Sequence, residues 1–171
     1  MTQRDRFIQV AWQEVGYVEG PKENETKYGK EMGANYLPWC GSFVMWCAKK
    51  VGLVIPNVIL TSAGAQSFQA RKRWQDAADA TPDVGDLAFF DFPGDGVDRI
   101  SHIGIVVGVE AKLGLVHTIE GNTASDAKGD QRNGGEVCFK VRAYKKKNSG
   151  KFKKSLPVSI VGFGRPTFKE Q

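Results

Sequence analysis

The stretch SHIGIVVGVEAKLGLVHTIEGNT, residues 101–123, decides the fold. Residues 102–109 and 115–120 are rich in valine and isoleucine, and both segments have the two-residue period of β-strands. Only a short turn around 110–114 separates them, so the two strands are expected to form an antiparallel hairpin.

Further strands are predicted on both sides of this hairpin, and helices are predicted before it. The other strand-like segments are 86–92, 136–141 and 158–163. The predicted helices run from a Thr2/Asp5 capping pattern to Gly16, from about Cys40 to Val51 with Gly52 as the stop, and from Thr61 or Ser62 to about Trp74. Between the first two helices, 17–38 reads as a long loop with one short helical turn. Helices followed by strands indicate an α+β fold, in which N-terminal helices pack on a C-terminal antiparallel sheet of about five or six strands.

The composition suits one globular domain spanning residues 1–171, with a formal charge of +5. Six lysines lie within 145–154, so the rest of the chain is close to neutral. This stretch is either a solvated loop or a patch for an anionic polymer, and no nucleic-acid motif accompanies it. No signal peptide or membrane-spanning run is recognised, which predicts a protein made and kept in a cytoplasm until released.

Two of the three cysteines lie on the second predicted helix. Cys40 and Cys47 are seven residues apart, which places their sulfurs on one face but roughly 10 Å apart along the axis, too far for a disulfide. Cys47 is flanked by apolar residues in the middle of the helix, and Cys138 lies inside a strand. Both are predicted to be core residues.

Cys40 differs because it lies in the first helical turn. Unpaired backbone N–H groups and the helix dipole favour a negative charge there, and the thiolate is the reactive form of cysteine. Pro38 fixes the entry of the chain, and Gly41 is expected to leave room beside the sulfur. Taken alone, this position suits a buried structural cysteine as well as a nucleophile, and a nucleophile needs a base.

The predicted hairpin selects His102 as that base. Two even registers place His102 opposite Glu120 or opposite Asn122, and either one puts all three side chains on one face of the sheet, whereas a bulge or an odd register would separate them. His117 has the opposite parity and should point away. A nucleophile, a base and a group that orients the base are then available together.

Several segments together resemble the CHAP family, the cysteine, histidine-dependent amidohydrolases and peptidases. They are PWCGSFVMWCAKKVGL, GDLAFF, SHIGIVVGV, HTIEGNT and GGEVCFKVR, in this order. The resemblance implies a papain-like fold and cleavage of amide bonds in bacterial peptidoglycan. It also implies that Cys40 is the nucleophile, His102 the general base and Glu120 the acid that orients the imidazole. Asn122 matches an additional polar position of the family.

The resemblance also bears on biological role and partners. Many relatives are bacteriophage endolysins, so the chain is expected to be an endolysin-like hydrolase that stays in the host cytoplasm until it reaches the wall. A bacterial effector, an autolysin, a non-catalytic wall-binding module and a metallohydrolase remain alternatives. Expected partners are peptidoglycan and, through 145–154, anionic wall polymers. Nucleic acid is not expected as a partner, and we expect a monomer. Tyr36, Trp39 and Trp46 are candidates to line the substrate groove.

No cofactor is expected. Some relatives bind calcium in an acidic loop shortly before the cysteine, and the comparable stretch here is KENETKYGK, residues 22–30. Glu23 and Glu25 offer oxygen ligands, but the spacing is not that of an EF-hand loop. A calcium requirement is therefore not expected.

Overall fold

The computed structural model describes residues 1–93, 95–97, 99–126, 128–145 and 157–169. Within these residues, four α-helices precede the sheet: α1 Gln3–Gln13, α2 Lys27–Met32, α3 Cys40–Lys50 and α4 Thr61–Ala70. Six strands follow: β1 Trp74–Asp76, β2 Leu87–Phe90, β3 His102–Glu110, β4 Leu115–Thr123, β5 Glu136–Ala143 and β6 Ile160–Gly164. A 3₁₀ turn, Ala111–Leu113, joins β3 to β4.

The strands form one sheet in the order β1-β6-β2-β3-β4-β5, and all neighbouring pairs are antiparallel. Helix α3 contacts β3 and β4, while α1 and α2 pack against α3. The predicted α+β class, with helices on an antiparallel sheet, is therefore confirmed.

Local signals account for the starts and ends of several elements. Thr2 and Asp5 form the predicted capping box of α1. Thr26 caps α2, which occupies part of the expected loop, and Gly33 ends that helix with a φ of 70°. The 3₁₀ turn ends at Gly114, whose φ is 66°. Glycine adopts such angles without the strain that a side chain brings.

The third predicted helix is too long. Helix α4 ends at Ala70, and Trp74, expected to be its last residue, instead begins β1. Lys72, two residues after the last helical residue, has a φ of 55°, which a right-handed helix does not accommodate. The segment then pairs with β6 in the register Trp74↔Gly164. A strand partner more than eighty residues away along the chain thus overrides the local helical pattern.

In the β3–β4 hairpin, the pairs nearest to His102 have one of the two even registers that the sequence predicts. Ile105 lies opposite Ile119 and Val106 opposite Thr118, and the register shifts only beyond Val106. Continued toward the start of β3, this register places Gly104 opposite Glu120. A methyl group at Gly104 would lie 2.6 Å from the Glu120 Cγ atom, which agrees with that placement.

Candidate active site

Cys40 is the first residue of α3 and lines a cleft of about 250 Å³. Trp39 at the N-cap of this helix makes no capping hydrogen bond. The N–H groups of the first turn and the helix dipole therefore remain available to a negative charge on the sulfur. The other residues around the cleft are Leu37, Pro38, Ile59, Leu60, Thr61, Arg99, Ser101 and Arg132.

Gly41 lets the chain at Val58 and Ile59 pack against the start of α3. Its expected effect on the space beside the Cys40 sulfur stays a prediction. A methyl group at Gly41 would lie 2.1 Å from the Val58 carbonyl oxygen and 2.7 Å from the Ile59 Cα. Ile59 lines the cleft, so this close approach helps to shape the site.

Gly41→Ala is expected to destabilise the fold by about 1–3 kcal/mol, because backbone atoms must move to accept the methyl group. The free energy of unfolding from urea denaturation measures this. Ser42→Ala is the control, since it removes a buried hydroxyl that has no hydrogen-bond partner among the described residues. Wild-type stability of Gly41→Ala would contradict the close packing.

His102 is fully buried at the start of β3. Its Nε2 lies 3.0 Å from Glu120 Oε2. Its Nδ1 has no hydrogen bond of regular geometry in the part of the chain that the structure describes. Two aromatic rings, Phe90 and Phe92, contact the imidazole with centroid separations of 5.4 and 5.6 Å. Since Nε2 is held by Glu120, Nδ1 is the nitrogen left for Cys40.

Glu120 is also fully buried and is held from three sides. Besides His102, the Thr118 hydroxyl donates to Oε1 at 2.6 Å. Arg142 donates to both carboxylate oxygens, from Nε at 2.8 Å and from Nη2 at 2.6 Å. A two-pronged contact of this kind fixes the plane of the carboxylate as well as its position.

The ionisation of the pair follows from these contacts. Burial disfavours the charged form of His102, but the Cys40 thiolate and the Glu120 carboxylate outweigh it and raise the pKa of His102 to about 9. Burial alone would raise the pKa of Glu120, yet the charge and hydrogen bonds of Arg142, followed by those of His102, hold it well below its usual range. The site therefore favours a protonated imidazole beside an ionised Glu120 near neutral pH.

Asn122 lies in the same region but has other partners. It has a φ of 59°, and its amide nitrogen donates to Asn24 Oδ1 at 3.3 Å and to Asn133 Oδ1 at 2.9 Å. Its side-chain oxygen accepts the Gly135 N–H at 3.2 Å. These contacts join the loop before α2 to the loop before β5. None of the hydrogen bonds found within the described residues joins Asn122 to His102.

The predicted groove aromatics need correction for two of three residues. Trp39 is fully buried, where its ring stacks on Tyr28 and its Nε1 donates to Glu19 at 2.8 Å. Trp46 is 8% exposed and donates to Glu31. Neither ring is among the residues that line the cleft. The sequence does not show which way an indole faces, so their burial was not predictable.

Tyr36 is 52% exposed and next to Leu37, which lines the cleft. Its role as a substrate-contacting residue stays a prediction.

The remaining cysteines and the second histidine lie outside this cluster. Cys47 is fully buried, and burial raises its pKa well above the usual range, while burial raises that of Cys138 to about 11. The prediction of core packing is confirmed for both. His117 pairs with Glu110 at 2.9 Å, away from Glu120 as its parity predicted.

The structure also bears on metals, membranes and the lysine-rich stretch. Within the described ranges, no group of three or more His, Cys, Asp or Glu side chains is arranged to hold a metal ion. In the stretch 22–30, Glu23 accepts a hydrogen bond from Asn133 at 3.0 Å. No helix in the described part of the chain is both long and apolar enough to cross a membrane. Of the stretch 145–154, only Lys145 lies inside the described residues.

Sequence reasoning missed two residues of the site, Thr118 and Arg142. Thr118 could have been predicted from the sequence, because it precedes Glu120 by two positions on one strand and therefore shares its face. Arg142 was not, since its contact depends on the pairing of β5 with β4, which places Arg142 opposite Val116. No short turn fixes that register.

Comparison with known proteins places the chain in a family. Residues 32–122 match the family model described as the CHAP domain, and this range includes Cys40, His102, Glu120 and Asn122. No curated protein matches.

Among solved structures, the chain is similar to a protein described as "similar to lipoprotein, NLP/P60 family" from Staphylococcus aureus subsp. aureus Mu50, with 16% identity and a TM-score of 0.41. That match covers 78% of this chain and 36% of the other. The family match spans more than half of the sequence, and the chain belongs to the CHAP domain family, whose members are in general cysteine- and histidine-dependent amidohydrolases or peptidases that act on peptidoglycan.

Proposed function

We propose that this protein hydrolyses an amide bond of bacterial peptidoglycan, with Cys40 as nucleophile. The observation that carries the proposal is the buried pairing of His102 with Glu120, coupled electrostatically to a cysteine that lines a cleft at a helix start. A purely structural histidine has no need of both a fully buried carboxylate on one nitrogen and a nearby cysteine that raises its pKa.

The first half of the reaction forms a thioester. The Cys40 thiolate attacks the carbonyl carbon, and the negative charge that develops on the carbonyl oxygen is met by N–H groups at the start of α3. One such donor is typically worth about 3 kcal/mol. The His102 imidazolium then donates its proton to the amide nitrogen, and the carbon–nitrogen bond breaks.

The second half regenerates the enzyme. Neutral His102 takes a proton from water, whose oxygen attacks the thioester carbon, and the carboxylic product leaves as the Cys40 thiolate is restored. Glu120 stays ionised throughout, holding the imidazole through Nε2 and stabilising its protonated form. Each proton taken up by His102 is thus returned in the next cycle.

Mass spectrometry of fragments from purified peptidoglycan tests this proposal and identifies the bond. Walls with different stem peptides and cross-bridges are digested, and new amino groups are assigned to fragments. An amidase yields free stem peptides, whereas an endopeptidase yields stems cut internally or at the cross-bridge. Binding to the wall without any new amino group would overturn the hydrolase and favour a wall-binding module.

The finer role stays a prediction from the family resemblance. We propose an endolysin-like protein that acts on the wall after release from a host cytoplasm, as a monomer and without a cofactor. Its lysine-rich stretch 145–154 would contact anionic wall polymers by charge attraction.

A further inference from the structure

Arg142 on β5 lies directly behind the carboxylate that holds His102. Its guanidinium donates two hydrogen bonds to Glu120, at 2.8 and 2.6 Å, and its side chain is only 13% exposed. An arginine so placed shares the carboxylate with the imidazole: Glu120 Oε2 accepts from Arg142 and also pairs with His102. The position of Arg142 is therefore transmitted to the imidazole through one carboxylate oxygen.

Two aromatic rings fix the arginine and the histidine together. The Arg142 Cζ atom lies 5.5 Å from the ring centroids of both Phe90 and Phe92. The same two rings contact the His102 imidazole. Guanidinium groups are attracted to aromatic faces, especially where water is excluded. Arg142, Glu120 and His102 thus form one packed unit.

The charge of Arg142 matters because Glu120 has no access to water. A fully buried carboxyl takes up a proton unless charges or hydrogen bonds favour its anionic form. The largest influence opposing burial at Glu120 is the Arg142 charge, followed by the Arg142 hydrogen bonds. A protonated Glu120 would no longer stabilise the imidazolium, and the Cys40 thiolate would lose its counter-ion.

We propose that Arg142 is a positioning residue that keeps Glu120 ionised and aimed at His102, and so maintains the imidazolium that serves Cys40 under mildly acidic conditions. Only the consequence for catalysis rests on the proposed function; the effect on Glu120 and His102 does not. The ionisable groups that act on Glu120 or on His102 from the surrounding elements are Cys40, Asp130, Cys138, Lys140 and Arg142.

Alkylation of Cys40 by iodoacetamide tests the proposal without any substrate. The rate is followed by peptide mass spectrometry from pH 5 to pH 9, so that Cys40 is distinguished from the other two cysteines. The wild-type ratio of the rates at pH 5.5 and pH 7.5 is the reference. In Arg142→Met, Glu120 is expected to gain a proton in this range, and we expect the ratio of the rate at pH 5.5 to the rate at pH 7.5 to fall at least tenfold below the wild-type ratio.

Arg165→Met is the matched control. Arg165 makes the same two-pronged contact with a buried carboxylate, donating to Asp86 at 2.9 and 2.8 Å, but that pair is not part of the site. This variant is expected to lose stability and to keep the wild-type pH profile of Cys40 alkylation. Arg142→Lys, which restores the positive charge without the fork, should recover part of the rate at pH 5.5.

A wild-type pH profile in folded Arg142→Met would overturn the proposal, as would a loss of rate that is equal at every pH. If the methionine variant does not fold, Arg142→Gln carries the same test, because it keeps a hydrogen-bond donor for the carboxylate. Since alkylation needs no peptidoglycan, a failure here is distinguishable from a failure of the proposed hydrolase activity.

Discussion

Cys40→Ala is expected to lower the release of amino groups from peptidoglycan by at least about 10³-fold, because no other described group at the cleft can form the thioester. The fold should persist, since the change removes a single sulfur atom from the rim of the cleft. Circular dichroism and the melting temperature check the fold, and amino-group release from purified walls measures the activity.

Cys47→Ala is the matched control for this experiment. It lies on the same helix, seven residues further on, and is fully buried. We expect this variant to keep its activity while losing stability, as buried large-to-small changes do. Near-wild-type lysis by Cys40→Ala, or loss of lysis in folded Cys47→Ala, would contradict the assignment of the nucleophile.

Glu120→Gln is expected to lower kcat/KM by about 10²–10⁴-fold, by analogy with the loss of the orienting carboxylate in other triads. It should also move the alkaline limb of the pH profile. In the wild type, this limb follows loss of the imidazolium proton as the pH rises through about 9. Without the carboxylate, burial favours the neutral imidazole, and the limb is expected at lower pH.

The pH of the alkaline limb distinguishes a change in the pKa of His102 from a loss of folded protein. A smaller folded fraction lowers the rate by the same factor across the pH range in which the protein stays folded, so it does not move the limb. Glu110→Gln is the control, since Glu110 pairs with His117 at 2.9 Å in a partly exposed contact away from the cleft. An alkaline limb that stays near pH 9 in Glu120→Gln would show that the carboxylate does not govern the proton on His102.

The raised pKa of His102 also makes the stability of the fold depend on pH. The folded-state pKa of His102 is raised from 6.5 to about 9, so the folded state holds this proton more tightly than the unfolded chain. The stabilisation is fully present below about pH 6.5 and is lost as the pH rises to about 9. Glu120 has the opposite dependence, because its pKa is lowered: its contribution is lost as the pH falls below 4.5.

The sequence was informative where geometry is local. A helix start is visible in the residues that flank Cys40, and the alternation of side chains along one hairpin places His102 and Glu120 on the same face under either even register. A register shift does occur in β3, but it lies between Val106 and Gly108, on the side of Ile105 away from His102. The prediction depended on where this shift fell, which the sequence alone does not show.

Features that depend on distant pairing were not predictable in this way. Strand β1 exists because β6 pairs with it, and Arg142 reaches Glu120 because β5 packs beside β4. The burial of Trp39 similarly depends on Tyr28 and Glu19 from earlier loops and helices. Each of these contacts joins segments whose relative placement no short turn fixes.

The central claim is that the Cys40 sulfur attacks the substrate and carries its acyl group. Rapid acid quenching during turnover of a wall peptide, followed by peptide mapping, tests it most directly. We predict an acyl mass increment on the peptide that contains Cys40, in the wild type and not in Cys40→Ala. Two results would contradict it: an acyl group found on another residue in the wild type, or turnover by Cys40→Ala at the wild-type rate.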